Sequence, residues 1–358
     1  MAPRTSLPHP SADRRSAGHS RRGALGLALA ALAVPLVACG TDDAGRGGDA
    51  SAAGADAAFA PVTIEHAFGS TTLEQRPARV ATWGWGSSDA AIALGVVPVA
   101  MPRNSYGAED DGLMPWQRQA LDAAGAEVPT LLSEGDAPPF EEIAAAAPDV
   151  ILANYSGITE ADYAKLAKIA PTIAYPEKPW STPWRDVVTT VGTALGRASQ
   201  AQTLLREIDA QVAAAAQAHP EFAGRTIAAV AIDPAAFYVY TPADPRVQFL
   251  EDLGFEVAPS VSRLAGDEQG FYYTLSPERL DELTSDVLLS YVPDEARRTA
   301  IADDATYRAL PQMGAGTVAS VVGESYVSAV SPPTALSLTW GLDAFVEALV
   351  PAVRAVEA

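Results

Sequence analysis

The chain has 358 residues and a formal net charge of −20, from 24 Lys and Arg against 44 Asp and Glu. So acidic a chain repels phosphate backbones, which argues against a nucleic-acid partner. Its single cysteine, Cys39, excludes an internal disulfide and a cysteine-built metal centre.

In chain order, residues 1–38 read as a targeting segment. Arg14, Arg15, Arg21 and Arg22 form a basic region, and Ala24–Val37 is an apolar run too short to span a membrane. It closes on Leu36-Val37-Ala38-Cys39-Gly40, which resembles the bacterial lipobox. That resemblance implies lipidation at Cys39, which would become the first residue of the mature protein. Ser20-Arg21-Arg22 fits twin-arginine export, but Gly23-Ala24-Leu25-Gly26 lacks the expected Phe, so this route and the general secretory one both stay open. Residues 39–60 are mostly Gly, Ala, Ser and Asp with one aromatic, Phe59, and read as a flexible tether. Loss of residues 1–38 leaves 19 basic and 43 acidic side chains, a net charge of −24.

From Pro61 the composition turns globular, and about 300 residues suit two lobes better than one core. The predicted N-terminal lobe covers 61–180. Val62–Gly69 alternates as a strand and turns at Gly69-Ser70 into a return strand. Arg79–Thr82 is a buried strand ending in Trp83-Gly84-Trp85-Gly86. A helix over Ser87–Leu94, a strand over Val96–Ala100 and the loop Met101–Tyr106 follow. The Glu141 helix, the strand Asp149–Ala153, the loop Asn154–Gly157, a helix through Ile169 and the strand Thr172–Tyr175 complete the lobe. Residues 181–219 predict one connecting helix, with Thr182 as N-cap and Pro183 at its first position. Gly192 and Gly196 weaken its middle and allow a kink. The C-terminal lobe, 220–358, repeats the plan: strands Arg225–Ile232 and Phe237–Tyr240, a helix Val247–Leu253, and a loop carrying Tyr272 and Tyr273 before a Glu278 helix. Strand Val287–Tyr291, helices around Glu295 and Tyr307, a strand near Val318 and a final helix Leu342–Val356 end it. The fold class is therefore α/β: two similar lobes with mostly parallel sheets, joined by one long helix.

The lobes also echo each other in sequence. Glu141 stands eight positions before Asp149-Val150-Ile151-Leu152, and Glu278 eight before Asp286-Val287-Leu288-Leu289. Leu94-Gly95-Val96 and Leu253-Gly254-Phe255 form a second matching pair upstream.

Catalytic grammar is thin. His66 and His219 are the only histidines beyond the leader, and each reads as a surface or cap residue rather than a ligand. There is no Gly-x-Ser-x-Gly elbow, dinucleotide fingerprint or phosphate loop. Binding grammar is richer, because ligands of open α/β sheets collect at the carboxyl ends of strands. Those positions carry Trp83, Trp85, Arg103, Asn104, Tyr106, Tyr155 and Ser156 in the first lobe. In the second they carry Tyr240, Arg246, Tyr272, Tyr273 and Tyr291. Core packing competes as a reading for every ring; Trp85, framed by Gly84 and Gly86, is the one most expected in a cleft. Glu141 and Glu278 each open a helix, where the macrodipole alone favours a carboxylate. Their matched placement also suits a two-point contact with a two-fold symmetric, basic partner.

Lipobox, tether, two α/β lobes and a helical connection together resemble the substrate-binding lipoproteins of iron–siderophore ABC importers, within the ferric-siderophore and cobalamin receptor family. The resemblance covers roughly Val62 to Leu349 and is strongest over Arg79–Met101, Phe140–Leu152, Asn154–Tyr175, Ser181–Gly196 and Ser276–Leu289. It implies a monomeric, non-enzymatic receptor without cofactor or directly bound metal, lipid-anchored on the extracytoplasmic face, whose lobes close only slightly. It further implies capture of a ferric siderophore in an interlobe cleft and delivery to an ABC permease dimer with its ATPase, docked through Glu141 and Glu278. A tris-catecholate is strongly anionic and calls for several cleft cations; only Arg103 and Arg246 are placed there, so a hydroxamate is expected, with ferric carboxylates still possible. Cobalamin or haem in the same cleft, and a secreted hydrolase using His66 or His219, are the alternatives.

Overall fold

A computed structural model describes residues 59–357 apart from 234–235 and 268–269; the leader, Cys39 and the tether up to residue 58 lie outside the described residues. An antiparallel hairpin, β1 (Val62–His66) and β2 (Gly69–Leu73), opens the described chain, with Val62 facing Leu73. The Ala67 amide donates to Tyr175 O (2.9 Å) and the Thr71 hydroxyl to Thr172 O (2.6 Å), which holds the hairpin on the edge of the first sheet. His66, expected at the surface or as a cap, is buried beneath it. Its Nδ1 accepts the Phe68 amide (3.2 Å), and its Nε2 lies 3.0 Å from the Thr71 oxygen, whose own proton is committed to Thr172. The ring is thus held neutral, and burial lowers its pKa below the usual value.

The first sheet has five strands: β3 (Val80–Thr82), β4 (Ala100–Pro102), β5 (Thr130–Leu132), β6 (Val150–Ala153) and β7 (Thr172–Ala174). Their order is β5-β4-β3-β6-β7 and every pairing is parallel. Helices α1 (Ser87–Ala93), α2 (Pro115–Ala123), α3 (Phe140–Ala145) and α4 (Glu160–Leu166) form the crossovers. The strand expected from Val96 begins only at Ala100, because the Val96 amide returns to Ala91 O (2.8 Å) and caps α1 instead.

The second sheet contains β8 (Thr226–Ile232), β9 (Phe237–Tyr240), β10 (Glu256–Val257), β11 (Tyr272–Leu275), β12 (Val287–Val292) and β13 (Val318–Val322). Its path is β11-β9-β8-β12-β13, with β10 beside the start of β8. β8, β10, β12 and β13 pair in parallel, and β9 runs antiparallel to both its neighbours. Tyr272 and Tyr273, expected in a loop, begin β11: Tyr-Tyr-Thr-Leu is strand-forming and alternates exposed with buried positions. The Glu278 helix is a six-residue 3-10 segment, Pro277–Glu282, and the Tyr307 helix shrinks to Tyr307–Ala309.

The repeated Asp-Val pairs have a shared cause. Asp149 accepts the amides of Ala78 and Arg79 (2.8 and 2.9 Å), and Asp286 accepts the amide and hydroxyl of Thr226 (2.8 and 2.9 Å). Each carboxylate pins the start of its neighbouring strand, and the valine after it faces that strand: Val150 opposite Val80, Val287 opposite Ile227.

The connection between the sheets is helical, but it is not the single helix expected over 181–219. It divides into α5 (Trp184–Ala194) and α6 (Ala198–Ala218). Gly196 sits at φ +65°, a left-handed turn that glycine adopts without strain, and the Arg197 amide returns to Gly192 O (2.7 Å). Beyond the turn the chain folds back. Arg185, at the start of α5, donates to Asp209 in mid-α6 (2.8 Å) and to Asp252 (2.9 Å), the last residue of α7 (Pro245–Asp252). The pair is therefore an antiparallel hairpin whose second helix, about 31 Å long, reaches onward to the second lobe.

One apolar core runs through both lobes. Val80, Val150 and Leu152 of the first sheet, Val187, Val191, Ile208 and Val212 of the hairpin, Ile227, Val287 and Leu289 of the second sheet and Phe345 of the final helix (Ser337–Val356) all belong to it. Close approach of α5 and α6 depends on Gly192, where a methyl group would sit 2.4 Å from Ala201 Cβ. Gly192→Ala is therefore expected to destabilise the protein by about 1–3 kcal/mol despite its better helix propensity, read as a lower urea midpoint.

Candidate functional site

β3 delivers the chain into Trp83-Gly84-Trp85-Gly86 at its carboxyl end. The Trp83 amide donates to Leu152 O and the Trp85 amide to Tyr155 O, both at 2.9 Å. Gly84 lies between them at φ +89°, and a Cβ there would meet Tyr155 O at 2.2 Å. This turn separates the two indoles. Trp83 goes into the core beside Ala81, Ile143 and Ile158, which removes it from the predicted cleft set. Trp85 projects between the lobes, with its Nε1 donating to Pro332 O (2.9 Å).

Trp85 lines two adjoining cavities. One, of about 350 Å³, is walled by Trp85, Tyr155, Trp180, Phe271, Arg246 and the Ser331-Pro332 corner, with Asp244 at its base. The other, of about 320 Å³, is more polar and is lined by Asn104, Ser105, Tyr106, Glu134, Val327 and Ser328 beside Trp85 and Ser331. The Ser331–Thr334 segment is held from below by Asp89, a fully buried carboxylate on α1. Asp89 accepts from Trp116 Nε1 (2.7 Å), Gln117 Nε2 (2.6 Å) and the Thr334 hydroxyl. Burial raises its pKa while those donors pull it down.

The other predicted residues divide by burial. Tyr155 reaches the larger cavity with its ring edge-on to Trp180 (5.7 Å), and burial pushes its hydroxyl up to about 12. Tyr240 lies under the Arg246 guanidinium, 4.2 Å from Cζ, and its hydroxyl is also raised, chiefly by burial. Tyr291 packs edge-on beneath Tyr240 (6.0 Å); its hydroxyl is buried with no hydrogen-bond partner among the described residues. Asn104 and the half-exposed Tyr106 belong to the polar cavity. Tyr272 is exposed next to Phe271 (4.9 Å) without lining either cavity. Three further predicted residues fall outside the cleft. Ser156 is fully buried and donates to Ala153 O (2.7 Å), closing the turn after β6. Tyr273 is in the core of the second lobe, on the inward face of β11. Arg103 is exposed, its guanidinium packed over Gly112, and it lines neither of the two cavities.

Sequence reasoning missed Trp180, Phe271, Asp244 and Ser331. Trp180 carried a local signal: it follows Lys178-Pro179 just past a strand end, and its backbone takes φ +56°, unusual for a non-glycine residue. Its indole lies on Gly157, where any Cβ would fall 2.3 Å from Nε1.

The cleft carries no excess positive charge. Among the described residues, Arg246, Asp244 and Glu134 are the charged ones lining the two cavities. Arg246 Nη1 donates to Asp244 Oδ2 (2.7 Å), and its Nε donates to the Ser331 hydroxyl (2.7 Å). Asp244 also caps α7 by accepting the Arg246 amide (2.8 Å). Neither His66 nor His219 lines either of these cavities; His219 closes α6 and pairs with Glu221 (3.1 Å).

Residues 80–311 match the family model described as periplasmic binding protein. The chain belongs to the periplasmic binding protein family. This binding protein is 30% identical over 229 residues to the ferric enterobactin-binding periplasmic protein FepB of Escherichia coli, covering 61% of this chain and 69% of FepB. Among solved structures it resembles PiaA of Streptococcus pneumoniae in complex with ferrichrome, at 33% identity and a TM-score of 0.75, over 82% of this chain and 99% of PiaA. A periplasmic solute binding protein of Mycobacterium smegmatis aligns at 28% identity and a TM-score of 0.71, over 82% and 99% of the two chains. Among the described residues no helix is long and apolar enough to cross a membrane.

Proposed function

We propose that this binding protein captures a ferric siderophore of the hydroxamate type between its lobes and delivers it to an ABC permease dimer and its ATPase for iron uptake. The observation that carries the ligand class is the cleft's charge: the one cation lining it among the described residues, Arg246, is already paired with Asp244, and Glu134 adds a negative rim. A strongly anionic tris-catecholate gains little attraction from such a site. A near-neutral trihydroxamate fits its aromatic walls and the donors of Arg246. The relatives include binders of ferric enterobactin and of ferrichrome, and the charge supports the second kind of ligand.

The rest of the reading follows from position. Iron enters within its chelate, so the protein supplies walls and hydrogen bonds rather than metal ligands, and its role is capture rather than catalysis. Glu141 and Glu278 are exposed, one on each lobe, which suits pairing with arginines of a two-fold permease. Lipidation at Cys39 would hold a monomer at the outer face of the cell membrane. The shared core argues for small closure motions, since separating the lobes widely would expose it.

Tryptophan-fluorescence titration of the protein beginning at Cys39 tests the function. Ferrichrome, a ferric trihydroxamate, is expected to quench at sub-micromolar concentration, with cyanocobalamin, haemin and a ferric tris-catecholate much weaker. Preference for cobalamin or haem would overturn the siderophore reading. Arg103→Ala is expected to change hydroxamate affinity less than threefold, because its side chain lies outside the cavities; a hundredfold loss would place it at the ligand.

A further inference from the structure

Asp244 is more charged than its visible structural role needs. As N-cap of α7 it accepts one backbone amide, which Asn or Ser would do as well without a buried charge. Its side chain is only 2% exposed, and a carboxylate so placed is costly unless compensated. The compensation is Arg246, whose side chain is 15% exposed and faces the larger cavity. Arg246 uses Nε on Ser331 and Nη1 on Asp244 and stacks on Tyr240, while its Nη2 has no hydrogen-bond partner among the described residues. What reaches the ligand is therefore a hydrogen-bond donor whose positive charge has been cancelled from behind.

We infer that Asp244 is a specificity-determining residue that acts through Arg246, cancelling the one positive charge among the described cleft residues and so discriminating against anionic iron chelates. The inference rests on the ferric-siderophore reading and adds the means by which one siderophore class is refused. A ligand carrying excess negative charge meets the Asp244 carboxylate behind Arg246 and Glu134 across Trp85, so Coulomb attraction to the guanidinium is offset. A neutral chelate loses nothing by the pairing, because the Nη2 donors remain.

Asp244→Asn tests this: it removes the charge and keeps one oxygen to accept the Arg246 amide, while the oxygen that accepts from Nη1 is replaced by an amide nitrogen. Affinities of the full chain, purified in detergent, are measured for ferrichrome and for ferric enterobactin, a tris-catecholate. The ratio of the two dissociation constants is expected to move at least tenfold towards the catecholate. Ser331→Ala removes a support of Arg246 without altering charge; it is expected to weaken both ligands and leave the ratio within threefold. A ratio unmoved by Asp244→Asn in a protein that melts cooperatively overturns the inference. A measurement on the unmodified protein covers the case of a variant that fails to fold: catecholate binding is expected to be nearly independent of ionic strength, and a steep loss with salt would reveal an uncompensated cation. If the unmodified protein prefers the catecholate, the hydroxamate reading fails, while the role of Asp244 is still judged by the shift in ratio. Binding of neither chelate overturns both.

Discussion

Arg246→Ala is expected to abolish measurable ligand binding and to destabilise the fold by about 3–5 kcal/mol, the cost of leaving a buried charge without its partner. Both effects come from one side chain because Arg246 faces the larger cavity on one side and the buried Asp244 on the other. In its absence Asp244 keeps its amide donor, but burial already pushes its pKa up, and the charge that pulls it down is gone. The stranded carboxyl then prefers to be protonated in the folded state. Its folded pKa lies above its unfolded value, so the penalty is full above the folded pKa and shrinks as pH falls through it towards the ordinary carboxylate value of about 4. Adding Asp244→Asn to Arg246→Ala is expected to restore most of the stability and none of the binding. Thermal melting across pH and ligand titration read the two effects separately. Equal stability of Arg246→Ala and the double variant would show that the pair carries no buried charge.

The second large effect is expected from Glu141→Ala combined with Glu278→Ala. Both carboxylates are exposed, one on α3 and the other on the 3-10 segment before β12, and neither lines the two cleft cavities. Ligand affinity should therefore stay within twofold of the unmodified protein. Uptake of radiolabelled iron as its siderophore should fall at least tenfold, because each lobe loses its contact with the permease. Either single substitution is expected to act less severely than the pair. Full uptake by the double variant would remove these residues from docking.

Much of the fold was legible because its determinants are local. The Asp149-Val150 and Asp286-Val287 echoes mark two strands that are pinned in the same way, so repetition in sequence reports repetition in structure. Gly84 between two tryptophans marked a sharp turn at a strand end. The turn's direction was not legible. Whether Trp83 or Trp85 faces the cleft depends on Gly84 taking a positive φ, and the choice is set by the close passage of Tyr155 O. The helix hairpin shows the same limit. Gly196 signalled weakness in the helix, but the fold-back is set by Arg185 finding Asp209 and Asp252, a contact across 24 and 67 residues. The site was harder still. Ser331 and Asp244 flank Arg246 from segments 85 residues and two residues away, and neither has a side chain that stands out among its neighbours. Tyr273 and Tyr291 were drawn in by residue type, whereas strand alternation and the packing of Tyr240 turn them inward.

The central claim is that iron arrives in a siderophore held between the lobes. The most direct measurement is a crystal structure of the protein with ferrichrome, with the iron located by anomalous scattering. A single iron peak is expected in the larger cavity, enclosed by Trp85, Tyr155, Trp180 and Phe271, with Arg246 Nη2 donating to an oxygen of the chelate. Iron bound elsewhere on the surface, or density for the chelate away from Arg246, would contradict it.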